Sequence, residues 1–219
     1  RLLKTMSPYP VTIRLLDPPL HEFLPIDEIQ INELAHELNT DFKKINHKIE
    51  SLKESNPMLG HRGCRLGITF PAITVMQTTA IIKAAIQLTN EGIAVKPEIM
   101  IPLVGSFNEF LNQKKIIMQT ADSLFKASNV KIKYLIGTMI ELPRACLIAD
   151  KIAEHADFIS FGTNDLTQTT FGFSRDDIGS FLPDYLSKNI LGNDPFATLD
   201  TEGVGALIKI AIKKATNKN

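Results

Sequence analysis

The sequence predicts an α/β fold with a parallel sheet, and three observations carry that prediction. Short apolar runs alternate with amphipathic stretches of ten or more residues. The runs stay apolar until their last positions, where polar groups appear: Asp17, Glu141, Asn164 and Asp165. No Pro-, Gly- or Ser-rich linker and no internal repeat divides the 219 residues. Strands separated by helices of that length form βαβ units and a parallel sheet. A single domain over residues 1–219 is the simplest organisation.

Val11 to Asp17 reads as a buried strand that ends in a charge and is stopped by Pro18 and Pro19. From Ile31 the apolar positions Leu34, Leu38, Phe42, Ile45, Ile49 and Leu52 follow at steps of three and four, one helical face, closed by Asn56-Pro57. Gly60 to Gly67 reads as a loop carrying at most a short strand. The next helix runs from Ala72 to Asn90, with Met76, Ala80, Ala84 and Leu88 on one stripe. Glu98 to Val104 is a strand turning at Gly105. Ser106 to Phe125 is a helix, with Ser106 as N-cap and Glu109 as its capping-box partner. Tyr134 to Glu141 is a strand, Arg144 to Glu154 a short helix, and Phe158 to Asp165 a further strand. Glu202 to Ala215 is a last helix, and Thr216 to Asn219 is expected to fray.

Composition narrows the function. Apolar residues make up 44% and charged residues 22%, as in a soluble globular chain. Lys+Arg and Asp+Glu are 24 each, so bulk charge attracts neither nucleic acid nor an anionic membrane. The longest apolar runs, such as Ile99 to Val104, fall far short of a membrane span. Two cysteines are too few for a disulfide framework or a zinc ribbon, and a reducing, cytoplasmic setting fits them best. The first residue, Arg1, leads to the expectation that the chain was cut from something longer.

The chemistry is expected at the strand ends. Glu141 and Asp165 close consecutive strands, and neighbouring parallel strands lie about 4.8 Å apart, so both acids can share one ion. Mg²⁺ takes one or two carboxylates plus substrate oxygens and water. A lone strand-end acid more often solvates a loop; a pair with Asn164 beside it points to a site. The anion candidates are Arg14, Arg62, Arg65 and Arg175. Arg14 sits inside an apolar strand, where an unpaired guanidinium is expensive, so it must meet a ligand or a carboxylate such as Asp17 or Glu22. Arg62 and Arg65 flank glycines that let an anion approach closely. Gly162 to Gln168 offers backbone and amide donors beside Asp165, or simply a turn. The five histidines lack metal-ligand spacing: His36 and His47 read as solvated, His61 as a loop hydrogen-bonder. Cys64 and Cys146 read as inert thiols, and the Met and Phe residues on helices as core.

Four segments resemble the C-terminal domain of the phosphoenolpyruvate-utilising enzymes, and among them the pyruvate, phosphate dikinase family. They are Val11 to Pro25, with its Leu-Asp-Pro-Pro-Leu-His-Glu-Phe run, Asn56 to Gly67, Gly137 to Arg144 and Phe161 to Asp177. The resemblance spans Pro10 to Ala211. Phosphoenolpyruvate synthases and Enzyme I of the sugar phosphotransferase system share the arginine, glutamate and Asn-Asp signatures. The resemblance implies a (β/α)₈ barrel, incomplete here at about strands two to six of eight. It also implies binding of pyruvate or phosphoenolpyruvate with Mg²⁺. By position Glu141 and Asp165 resemble the metal ligands and Arg14 the strand-two arginine that holds phosphate. Gly162, Thr163 and Asn164 match the substrate-contacting run, and Arg62, Arg65 and Arg175 further arginines around the phosphate.

The resemblance further implies ATP, a phosphohistidine and the remaining domains of a dikinase as partners, with a homodimer as the full assembly. Nothing before Val11 matches the family's Arg-Thr-Glu strand, and its Cys-Gly-Glu strand, its general-acid cysteine and its nucleotide-binding and phosphohistidine domains are not found in these residues. The chain alone is therefore expected to be catalytically incomplete. The alternatives are a non-catalytic split-gene or truncated product acting only by association, a piece of a related phosphoenolpyruvate synthase, or an unrelated metal-dependent lyase barrel.

Overall fold

The computed structural model describes residues 1–216. Four parallel strands form its centre: β1 (Pro10–Arg14), β2 (Lys96–Ile101), β3 (Leu135–Ile140) and β4 (Ile159–Phe161). They pair strictly in chain order. Ile13 stands opposite Ile99, Ile99 opposite Ile136, and Ile140 opposite Phe161. A doubly wound sheet reverses its strand order part-way, whereas a barrel adds strands in sequence. The architecture is thus α/β with a parallel sheet of the kind an incomplete barrel has.

The middle strands are covered on both faces, which is why they read as unbroken apolar runs. Ile99, Ile101, Ile136 and Ile140 pack with Phe110 and Ile117 of the helix α6 (Phe107–Ser128) and with Ala145, Ala149, Ile152 and Ala211. A second cluster, around Leu3 of the short helix α1 (Leu2–Met6), Val11, Ile82, Phe125 and Ile132, seals the start of the sheet. The long helices α5 (Pro71–Asn90) and α6 pack on each other. Ser106 caps α6 with the full capping box: its hydroxyl accepts from Glu109 N, and the Glu109 carboxylate accepts from Ser106 N. The last helix, α11 (Val204–Thr216), covers the short helices α7 (Pro143–Leu147) and α8 (Ala149–Ala153), into which the expected 144–154 helix is divided at Ile148. Of the tail expected to fray, residues 217–219 lie outside the described residues.

Four sequence expectations are corrected. The apolar period across residues 31–52 belongs to two helices, α2 (Glu28–Glu37) and α3 (Phe42–Ser51). Asn39 takes a left-handed φ of 47° and the Asp41 carboxylate caps α3 at Lys43 N, so the chain turns where the spacing happens to continue. Residues 63–69 form the helix α4 (Gly63–Thr69) rather than a loop or strand. Its two glycines lower helix propensity, but Cys64, Leu66 and Gly67 are buried, and packing overrides propensity. Gly67 has to be small, because a Cβ there would stand 2.5 Å from both Gln113 Oε1 and Thr74 Oγ1. On α5 the buried face is Thr74, Thr78, Ile81, Ile82 and Ala85, while Met76 is 58% exposed and Ala80 is exposed too. The Thr74 hydroxyl donates to Gln113 Oε1, so polar residues lead a face that an apolar-only reading rotates. Finally, β4 ends at Phe161, and Asn164 and Asp165 sit in the first turn of α9 (Thr163–Phe171). Among the described residues no single helix is long and apolar enough to cross a membrane.

Candidate functional site

The carboxyl ends of the strands meet in one network of charges. Arg14 is the last residue of β1. It lies at the rim with its side chain 40% exposed, not inside the apolar strand, and it does meet carboxylates: Asp17 Oδ2 and Glu141 Oε2, each at 3.5 Å. Glu22 is not its partner. The strand expected to run to Asp17 stops at Arg14, and Asp17, three residues past its end and just before Pro18 and Pro19, is buried. Arg62, the extended residue that opens α4, is buried and lies between two acids. It donates from Nη2 to Asp17 Oδ2 at 2.5 Å and from Nη1 to Asp165 Oδ1 at 2.8 Å. Glu141, next after β3, is wholly buried. The sheet therefore brings Glu141 and Asp165 into one chain of ion pairs, Glu141–Arg14–Asp17–Arg62–Asp165.

Each link has a physical cause. Leu103 has a left-handed φ of 58°, and its N–H donates to Glu141 Oε1 at 2.5 Å. The other oxygen, Oε2, is buried and makes no hydrogen bond. Gly162 passes directly over that carboxylate, and a Cβ there would collide with it and with Met139 Sδ. Burial pushes the Glu141 carboxyl up to about 7; the Leu103 N–H opposes this, the charges of Asp17 and Asp165 add to it, and Arg14 opposes it. Burial alone would lower Arg62, but the Asp165 hydrogen bond and the two neighbouring carboxylates outweigh it and raise its pKa. Two guanidiniums face three carboxylates, so the ionised network carries one excess negative charge.

A cavity of about 260 Å³ opens against this network, and Arg14, Arg62, Asn164, Asp165, Gln168 and Arg175 are among its lining residues. Neither Glu141 nor Gly162, which packs against its carboxylate, is among the residues lining the cavity. Thr163 is an exposed first residue of α9. Arg65 is placed differently: its Nη1 donates to the carbonyls of Leu59 and Gly60, bracing the turn before Arg62, and it does not line the cavity. Two members escaped the sequence reading as site residues. Asp17 was visible as a strand-end acid and joins the two guanidiniums. Gln168 gave no signal beyond its place in the Asn-Asp-Leu-Thr-Gln run. The thiols are inert: burial pushes Cys64 up to about 12 and Cys146 to about 11. His36 and His47 are exposed, as expected.

Could this site hold a divalent ion? Among the described residues no cluster of three or more His, Cys, Asp or Glu stands ready as a cage. Mg²⁺ does not require one, since it binds through one or two carboxylates and keeps water and substrate oxygens. Hard oxygen donors, the unbonded Glu141 Oε2 and the excess negative charge suit such an ion.

The model of the PEP-utilising enzyme, PEP-binding domain, matches residues 1–218. The chain is 53% identical over 220 residues to a chloroplastic pyruvate, phosphate dikinase of Flaveria trinervia, covering 100% of this chain and 23% of that protein. Over 215 residues it is 54% identical to the chloroplastic pyruvate, phosphate dikinase 1 of Oryza sativa subsp. japonica (97% of this chain, 23% of the relative). Over 216 residues it is 54% identical to the pyruvate, phosphate dikinase 2 of Zea mays (97% and 24%). The chain spans about a quarter of the length of these relatives. On a family match across nearly all of its residues, the chain belongs to the PEP-utilising enzymes, as their PEP-binding domain.

Proposed function

We propose that the chain is the phosphoenolpyruvate- and pyruvate-binding part of a pyruvate, phosphate dikinase. That phosphotransferase interconverts ATP, pyruvate and phosphate with AMP, phosphoenolpyruvate and diphosphate through a phosphohistidine. Its four strands then form an arc within strands two to six of an eight-stranded barrel, and its partners are the remaining domains of the dikinase, in a homodimer. Two buried free thiols are consistent with a reducing, cytoplasmic setting.

The observation that carries this reading is the buried Glu141 carboxylate with one unbonded oxygen, at the strand ends, among arginines. Glu141 and Asp165 would hold Mg²⁺. When bound, the ion supplies positive charge for the negative oxygens of the ligand. Arg14, Arg62 and Arg175 neutralise the phosphoryl group, the first two being oriented for it by their carboxylate partners. Asn164, on the cavity wall, would meet the ligand, with Gly162 and Thr163 beside it at the start of α9, where backbone N–H groups and the helix dipole favour an anion.

Titrating phosphoenolpyruvate into the chain with and without Mg²⁺, followed by calorimetry, tests this. Binding that depends on the ion is expected. Tight binding that ignores Mg²⁺ would contradict the assignment.

A further inference from the structure

Arg175 differs from the other cavity arginines. Arg14 and Arg62 are each held by two carboxylates, whereas among the described residues the Arg175 guanidinium makes no ion pair. It lies on an irregular segment after α9 and still lines the cavity. An exposed arginine on a loop has a large rotamer and backbone entropy to lose on meeting a ligand, unless its backbone is fixed beforehand.

One residue fixes it. The Gln168 carbonyl accepts the N–H of Gly172, which ends α9 with a left-handed φ of 70°, and also the N–H of Phe173 at 3.1 Å. The Gln168 side chain then accepts the N–H of Arg175 itself, Oε1 to N at 2.9 Å. That donor can bond only to the oxygen, so it settles which way the amide points. Gln168 therefore receives three N–H groups of one short segment, two on its backbone and one on its side chain. It is buried, and it also lines the cavity. From the other side, Phe173 is clasped by rings, with centroids 5.3 Å from Phe171, 5.1 Å from Phe181 and 6.0 Å from Tyr185 of the short helix α10 (Leu182–Ser187). The segment carrying Arg175 is anchored immediately before and at that residue.

We infer that Gln168 is a positioning residue: its side-chain oxygen holds the backbone of Arg175 so that the free guanidinium is presented to the phosphoryl group of the ligand. This rests on the reading of the cavity as a phosphoenolpyruvate site. The backbone cap of α9 does not need the side chain, so Gln168→Met removes the Arg175 anchor and the amide N–H groups at the cavity while filling about the same space, and the double variant with Arg175→Gln separates the two losses.

The test uses two ligands, phosphoenolpyruvate and pyruvate, each with Mg²⁺, because only the first carries a phosphoryl group. Gln168→Met is expected to weaken phosphoenolpyruvate about fivefold to tenfold, the scale of the one neutral hydrogen bond removed. Pyruvate binding should move less than about twofold on the same scale, since no phosphoryl contact is at stake. Arg175→Gln should weaken phosphoenolpyruvate at least as much, and the double variant should bind no worse than Arg175→Gln alone. Equal loss for both ligands, an effect that adds in full to Arg175→Gln, or no effect would each overturn the inference. Hydrogen exchange on the unmutated chain needs no variant. The Arg175 amide should exchange slowly without ligand, and more slowly with phosphoenolpyruvate than with pyruvate; exchange at the rate of an open loop would overturn it. If the unmutated chain bound neither ligand, the reading of the site itself would fall instead.

Discussion

The two ends of the sheet are built on opposite principles. At the amino ends, Val11 packs with Leu3, Ile82, Ala85 and Phe125, and Ile132 and Tyr134 lead into β3 from the same cluster. The buried side chains of that cluster are all apolar, and the charged residues at this end, Lys96, Glu98 and Asp157, are exposed or half-buried. At the carboxyl ends, Asp17, Arg62 and Glu141 are just as buried but charged, and Asp17 Oδ1 and Glu141 Oε2 have no hydrogen-bond partner. Burying an oxygen anion without full satisfaction destabilises the fold. The apolar end supplies the stability that lets the charged end carry such groups, and local rules are broken where function is placed.

The largest effects should come from cutting the charged network. Arg62→Leu leaves buried Asp17 and half-buried Asp165 without their shared cation and should lower unfolding stability by about 3–5 kcal/mol in urea titrations. Ile82→Ala at the apolar end should lower it by a similar amount, about 2–5 kcal/mol. The two variants separate on ligand binding: the arginine variant should lose phosphoenolpyruvate, while the folded fraction of Ile82→Ala should bind it unchanged. Equal loss of binding in both would erase the contrast between the ends.

A smaller effect should appear with pH. Folding raises the Glu141 carboxyl from 4.5 to about 7. Between those values the folded state binds more protons than the unfolded one, so the Glu141 contribution to stability declines as pH rises through that window, by at most about 3 kcal/mol. In Glu141→Gln this decline should vanish, visible as a pH-dependent difference in denaturation midpoint between the two proteins. A difference that stays constant from pH 4.5 to 8 would show that the buried carboxyl is not the titrating group.

Much of this was legible in the sequence because it is local. The apolar runs mark all four strands, and Ser106 with Glu109 marks the start of α6, since capping chemistry acts over three residues. What escaped is long-range or ambiguous. The step from Leu38 to Phe42 keeps a helical period across a real break, though Asn39 and Asp41 were the signals for it. Gly63 and Gly67 look like loop residues until α4 is packed beneath Gln113 and Thr74. Asp165 reads as a strand end because a helix that starts within two residues of a strand leaves no polar gap between them. At the site, Glu141, Asp165 and the arginines stand out by type. The role of Asp17 depends on a partner 45 residues away, and that of Gln168 on a backbone N–H seven residues on. The first spacing belongs to no secondary-structure period, and the second runs past the end of α9, where a helical period no longer applies.

Glu141 carries the most weight: its buried carboxylate costs stability, and in the proposed function it holds the ion. The most direct measurement is a calorimetric titration of Glu141→Gln with Mg²⁺ and phosphoenolpyruvate at pH 8, alongside its unfolding curve. The account predicts a variant at least as stable as the unmutated chain that no longer shows Mg²⁺-dependent binding. A stable variant that binds the ligand with its Mg²⁺ dependence intact would contradict it.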